Sequence, residues 1–150
     1  MTTRAAVEEF LAQRRIAVAG VSRSGKKFGN LAYRALKARG YAVVPVHPHA
    51  ATVEGDRCVA SLAALPEPVD GLLLVVPPAV SEALVREAAA AGIRRVWFQP
   101  GSFTPALVRL AEESGMVAVA GECIMMHAKP VRSLHGVHRT LRRLLGRLPR

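Results

Sequence analysis

Ile16-Ala17-Val18-Ala19-Gly20-Val21-Ser22-Arg23-Ser24-Gly25 is the stretch that decides the fold. Four apolar residues run together without polar alternation, which suits a strand buried on both faces, as in a parallel sheet. The run stops at Gly20, and a second glycine follows at Gly25. A helix pattern starts soon after. Residues 28–38 set Leu31, Ala35 and Leu36 inward and end at Gly40, a glycine suited to a helix stop.

The alternation continues in both directions. Upstream, residues 4–13 read as a short helix with Ala5, Ala6, Phe10 and Leu11 on one face and Thr2 or Thr3 as N-cap. Downstream, strands are predicted at 42–46, 71–76, 94–98 and 116–120. Helices fall at 80–91, carrying Val80, Leu84, Val85 and Ala88, and at 105–114, where Thr104 caps and Pro105 takes the first position. Residues 61–65 suit a single helical turn. Parallel strands need crossovers, and helices are the usual ones. The right-handed crossover rule then predicts a Rossmann-like, doubly wound α/β fold: five parallel strands in order 3-2-1-4-5, with helices on both faces. Residues 131–147 read as a C-terminal amphipathic helix. Leu134, Val137, Leu141 and Leu144 form its stripe, and Arg132, Arg139, Arg142 and Arg143 lie opposite.

The chain has 150 residues, half of them apolar, which is enough for one domain, 1–150, with one real core. No apolar run is long enough to span a bilayer. The first ten residues carry acids and no apolar core of a secretory signal, so cytoplasm is the expected compartment. Cys58 and Cys123 are expected as reduced thiols there. The formal charge of +10 is uneven. Residues 129–150 hold seven basic groups and no acid, whereas residues 1–128 hold 14 basic and 11 acidic groups, a balance of +3. The basicity is therefore local, and alone it names no partner.

In an open parallel sheet a ligand lies beyond the carboxyl ends of the strands, where the strand order reverses. In the predicted order, residues 20–25 and 99–101 form the two walls of that crevice. Gly20 lets the chain leave its strand with little bulk. Ser22 and Ser24 supply hydroxyls, Arg23, Lys26 and Lys27 supply charge, and the following helix supplies N–H groups, which together suit phosphate. Gly20 to Lys26 also matches the start of the Mg²⁺-nucleotide loop. Lys27 then stands where that motif needs a hydroxyl for the metal. A dinucleotide site wants an acid at the end of the second strand. Here Val46-His47-Pro48-His49 offers none, which argues against NAD and leaves a 2′- or 3′-phosphorylated nucleotide. Coenzyme A is one such ligand. Its apolar arm would need a smooth wall, which Val76-Pro77-Pro78 and Gln99-Pro100-Gly101 could supply.

Taken together, IAVAGVSRS (16–24), GYAVVPVHP (40–48), Glu54-Gly55, Ser61-Leu62, PEPVD (66–70), EAAAAG (87–92), VWFQPG (96–101) and Glu122-Cys123 with His127 resemble the small stand-alone CoA-binding proteins. These are similar to the CoA-binding domain of the succinyl-CoA synthetase alpha subunit. The resemblance runs from about residue 10 to about residue 128 and rests on order and spacing, not on one motif. It implies non-catalytic binding of CoA or an acyl-CoA across the strand ends. Gly20, Ser22, Arg23, Ser24, Gly25 and Lys26 would hold the phosphates, and His47 and Pro48 would lie near the adenosine. Val76, Pro77, Gln99, Pro100 and Gly101 would line the pantetheine. Two departures stand out: Val75-Val76-Pro77 replaces a charged, aromatic-containing strand end and is closer to the synthetase form, and Gly121-Glu122 replaces Asp-Arg.

Three alternatives remain. One is an NADP-type oxidoreductase. Another is a CoA-dependent transferase using Cys123 or His127. The third is nucleic-acid or partner binding through the basic C-terminal helix, whose face lacks the interleaved aromatics that stack on bases. His135, His138 and Cys123 form an incomplete ligand set, so no metal is expected. A homodimer is compatible with the sequence.

Overall fold

The structure, a computed structural model, describes residues 2–128. The expected C-terminal helix at 131–147 lies outside the described residues.

Helix α1 (Arg4–Leu11) begins where the Thr3 hydroxyl accepts the Ala6 N–H at 3.0 Å. Strand β1 (Arg15–Ala19) leads into α2 (Phe28–Ala38) and then β2 (Ala42–Val46). A hairpin of two short strands follows, β3 (Thr52–Val53) and β4 (Asp56–Arg57), and then a single 3-10 turn, Leu62–Ala64. Strand β5 (Gly71–Leu74), α3 (Pro78–Ala90), β6 (Arg95–Phe98), α4 (Pro105–Glu113), β7 (Val117–Ala120) and α5 (Ile124–His127) complete the described chain. Thr104 caps α4 through the Leu107 N–H, and proline takes its first turn, as expected.

The sheet is parallel and five-stranded, in the order β2-β1-β5-β6-β7. The doubly wound α/β class therefore holds, but the strand order 3-2-1-4-5 is corrected to 2-1-3-4-5. The third sheet strand pairs with the first, not with the second. The reason lies in two strands. Pro45 sits within β2, opposite Val18. Proline has no N–H for a ladder and belongs at a sheet edge, so β2 is a poor central strand. All four residues of β5, Gly-Leu-Leu-Leu, are buried, as a strand flanked on both sides requires.

Side chains alternate across this sheet with period two. Ala17, Ala19, Leu72, Leu74, Val96, Phe98 and Ala118 face one side, where Leu84, Val85 and Ala88 of α3 and Leu107 and Ala111 of α4 cover them. Ile16, Val18, Leu73, Trp97 and Val119 face the other, against Phe10 of α1, Tyr33 and Leu36 of α2 and Ile124 of α5. Each fully buried large side chain contributes roughly 1.5–3 kcal/mol. Two positions expected on buried helix faces are open instead. Leu31 is 48% exposed and Val80 47% exposed. In α2 the inward positions are taken by Asn30, Tyr33 and Leu36.

Among the described residues no helix is long and apolar enough to cross a membrane. Cys58 and Cys123 are free thiols.

Candidate functional site

With β5 beside β1, the strand order reverses between these two strands. The walls of the crevice are therefore the turn after β1 and the turn after β5, not residues 99–101 as the predicted order required. Gly20, at φ +108°, shows how close the two turns come. A Cβ there would lie 2.1 Å from the Val75 carbonyl oxygen. Gly29, inside α2, is equally constrained, since a Cβ would lie 2.1 Å from the Gly20 oxygen. Two glycines nine positions apart thus bring β1, β5 and the start of α2 together.

The turn between them is held from behind. Asn30 is fully buried. Its Oδ1 accepts the Ser22 N–H at 3.0 Å, and its Nδ2 donates to the Ser22 carbonyl at 2.8 Å and to Glu54 Oε2 at 2.8 Å. Glu54, at φ +50° in the hairpin, also pairs with Arg34 at 2.9 Å, and Arg34 donates to the Gly25 carbonyl at 3.2 Å. The Asn30 hydrogen bond, followed by Arg34, holds the Glu54 carboxyl below its usual range. Arg34 is thereby committed to the scaffold. Arg23, Lys26 and Lys27 are the exposed cations of the turn.

The front of the turn is braced by its own hydroxyls. Ser24 N–H donates to Ser22 Oγ at 3.1 Å, and Lys26 N–H donates to Ser24 Oγ at 3.2 Å. The two hydroxyls share one hydrogen bond at 3.0 Å. A hydroxyl has one hydrogen, so this arrangement leaves one O–H uncommitted to its neighbour. No side chain of the N-cap residue Lys27 caps α2.

A cleft of about 360 Å³ opens beside this turn, within the size range of small-molecule sites. Gly20, Ser22, His47, Pro48 and Val76 line it, so five of the sequence-predicted residues meet in one place. Arg23 stands near enough to His47 to act on its charge. Ser24, Gly25 and Lys26 continue the turn beyond the cleft lining, and Pro77 is exposed at the N-cap of α3. Pro100 and Gly101 are exposed in the turn after β6. Gln99 is buried, and its carboxamide is engaged elsewhere: Oε1 accepts the Ile124 N–H at 2.7 Å, and Nε2 reaches Cys123 Sγ at 3.6 Å.

His47 has a defined hydrogen-bonding role. Its Nδ1 accepts the N–H groups of His49 at 3.1 Å and Ala50 at 2.9 Å. That places the proton of the neutral ring on Nε2. Burial, followed by Arg23 and His49, lowers its pKa below the usual histidine value. His47 is therefore a neutral hydrogen-bond donor, not a fixed cation for phosphate.

Lys27, expected to add charge to the turn, also lines the cleft, and Val80, Leu84 and Glu87 of α3 join the lining without having been expected there. Asn30 and Glu54 were also missed as the supports of the turn. The 87–92 match had drawn attention to Glu87 without giving it a role.

A second hollow, about 470 Å³, lies between residues 62–69 and the end of α3. Its walls are mainly alanine, leucine and proline, and it has no cation. At the far end of the sheet, Glu122 Oε2 pairs with His127 Nε2 at 3.0 Å, and the Glu122 carbonyl accepts the Trp97 indole N–H at 2.8 Å.

The sequence profile of the CoA binding domain family matches residues 14–129. Among solved structures, a conserved hypothetical protein from Pyrococcus furiosus is 38% identical, with a TM-score of 0.71 over 75% of this chain and 97% of that one. A hypothetical protein from Pyrococcus horikoshii is 29% identical, with a TM-score of 0.78 over 83% of this chain and 89% of that one. A dinucleotide-forming acetyl-coenzyme A synthetase from Ca. Korarchaeum cryptofilum is 26% identical, with a TM-score of 0.65; the match covers 73% of this chain but 26% of the synthetase. No curated protein matches the chain.

Proposed function

Because this chain belongs to the CoA-binding domain family over residues 14–129, we propose that it binds CoA or an acyl-CoA at the carboxyl ends of its strands and catalyses no reaction on it. The observation that carries this reading is the meeting of Gly20, Ser22, His47, Pro48 and Val76 around one cleft, beside the uncapped start of α2. The nucleotide phosphates sit on the turn formed by Ser22, Arg23, Ser24, Gly25 and Lys26. Free N–H groups, one hydroxyl hydrogen and three nearby cations favour them there. The adenosine lies beside His47 and Pro48. The pantetheine arm passes Val76 and Pro77 toward Pro100 and Gly101, with Gln99 beneath, shaping the turn through its backbone.

The non-catalytic part of the reading has its own support. The polar neighbour of Cys123 Sγ, the candidate nucleophile, is the Gln99 carboxamide at 3.6 Å, a group that cannot take its proton. The His127 ring nitrogen pairs with a carboxylate, not with a hydroxyl or thiol. With two free thiols, the cytoplasm is the compartment this reading fits.

The test is a calorimetric titration alongside thermal melting. CoA is expected to bind and to raise the melting temperature, by mass action on the native state. NAD, NADP and ATP are expected to do neither. Ser24→Trp, at an exposed position of the turn, should abolish CoA binding while leaving the unliganded melting temperature near that of the wild type. NADP binding in place of CoA would overturn the proposal.

A further inference from the structure

The geometry points to Glu87 as the residue that reads the base of the bound nucleotide, selecting a purine with an exocyclic amine at position 6, as in adenine, over a 6-oxo purine. This rests on the CoA reading above and deepens it.

The cleft is polarised along its length. Ser22 and Lys27 line it next to the turn that receives phosphate. Val46, Pro48 and Leu84 give it apolar lining. Glu87 is the one carboxylate among the residues lining it. Val80 also lines the cleft, and Glu87 follows it on the same helix by seven residues, about 10 Å of axial rise. A cation and a hydroxyl at the turn, apolar walls, and a carboxylate farther along α3 match a phosphate, a flat ring and a hydrogen-bond donor.

The carboxylate is held in place. Glu87 Oε1 accepts the Leu62 N–H at 3.1 Å, which ties α3 to the 3-10 turn and leaves Oε2 for a ligand. Glu87 also borders the second hollow, so it forms the partition between the two. A carboxylate only accepts hydrogen bonds. An adenine amine can donate to it. A hypoxanthine or guanine ring presents a carbonyl at the same position, which sets acceptor against acceptor. A site built around one fixed polar partner rejects the mismatched analogue more strongly than an apolar pocket does.

The experiment titrates the wild type and Glu87→Gln with CoA and with deamino-CoA, in which hypoxanthine replaces adenine. The wild type is expected to bind CoA about ten- to hundredfold more tightly than deamino-CoA, the range of one charge-assisted hydrogen bond. In Glu87→Gln the Leu62 N–H claims the amide oxygen and the NH₂ group turns to the base. CoA should weaken, deamino-CoA should strengthen, and the preference should collapse or reverse. A merely structural role for Glu87 would weaken both ligands alike. Equal wild-type affinity for the two ligands overturns the inference and leaves CoA binding intact. An unchanged ratio in the variant also overturns it. Wild-type protein that binds neither ligand overturns the CoA reading, and this inference with it. Should the variant fail to fold, the wild-type ratio still decides.

Discussion

His47 accepts two backbone N–H groups at one ring nitrogen, and protonation of that nitrogen would break both bonds. Its folded pKa is lowered by burial first, then by Arg23 and His49. A lowered histidine pKa means that neutral His47 stabilises the fold above the unfolded value, near 6.5, and that this contribution is lost as pH falls through the folded value. Melting temperature should therefore fall between about pH 7 and pH 5, and His47→Phe should flatten that slope. Equal slopes in the two proteins would show that the two N–H bonds do not couple to titration. The same residue shows how far sequence reaches at this scale. His47 was legible as a site residue because it ends a strand. Its role as neutral donor was not, since that depends on the 47–50 turn folding back on Nδ1. Asn30 was illegible for a related reason. It is a polar residue on the buried face of a helix, where apolar periodicity points to its neighbour Leu31, and its partner Glu54 arrives from a hairpin 24 positions away.

Where β1 hands over to α2, the closest approach is between Gly29 and the backbone of Gly20. A methyl group on Gly29 would lie 2.1 Å from the Gly20 oxygen and 2.6 Å from its carbonyl carbon. Alanine is favoured over glycine inside a helix by up to about 1 kcal/mol. Overpacking against fixed backbone costs about 1–3 kcal/mol, so the clash is the larger effect. Gly29→Ala should thus lower stability by about 1–2 kcal/mol and weaken CoA binding, because α2 must move off the turn it supports. Urea unfolding measures the first effect and calorimetry the second; a variant as stable as the wild type would show that α2 shifts freely. Elements of this size were largely readable. The bounds of α2 and β2 agree with their apolar patterns, because 3.6-residue and continuous-run signals need only local sequence. The β3–β4 hairpin was not readable, since two-residue strands are too short to show a period. Strand order was misjudged although Pro45 carried the signal, a residue that cannot donate to a ladder on both sides. That single misplacement also moved the predicted far wall of the crevice from the β5 turn to residues 99–101.

Trp97, the single tryptophan, lies fully buried on one face of the sheet, edge-on to Phe10 at 5.4 Å and hydrogen-bonded to the Glu122 carbonyl. Helices α1, α2 and α5 share one core with it, and α3 and α4 share the core on the reverse face of the same sheet. The two cores meet through one backbone, so unfolding should be a single transition. Trp97 fluorescence and far-ultraviolet circular dichroism should give coincident midpoints, and CoA should move both by the same amount. Separated midpoints would show that the two faces unfold independently. The sheet's two borders carry a further consequence. On β2, Pro45 offers no N–H, while its carbonyl and the His47 N–H are occupied by Val59. On β7, the Thr2 hydroxyl engages both the N–H and the carbonyl of Ala120. Exposed edges are where strands of neighbouring molecules add and fibrils begin. A proline and a threonine hydroxyl blunt both borders here, so the folded protein should resist fibril growth at high concentration. Any self-association should proceed through helices instead of by extending the sheet.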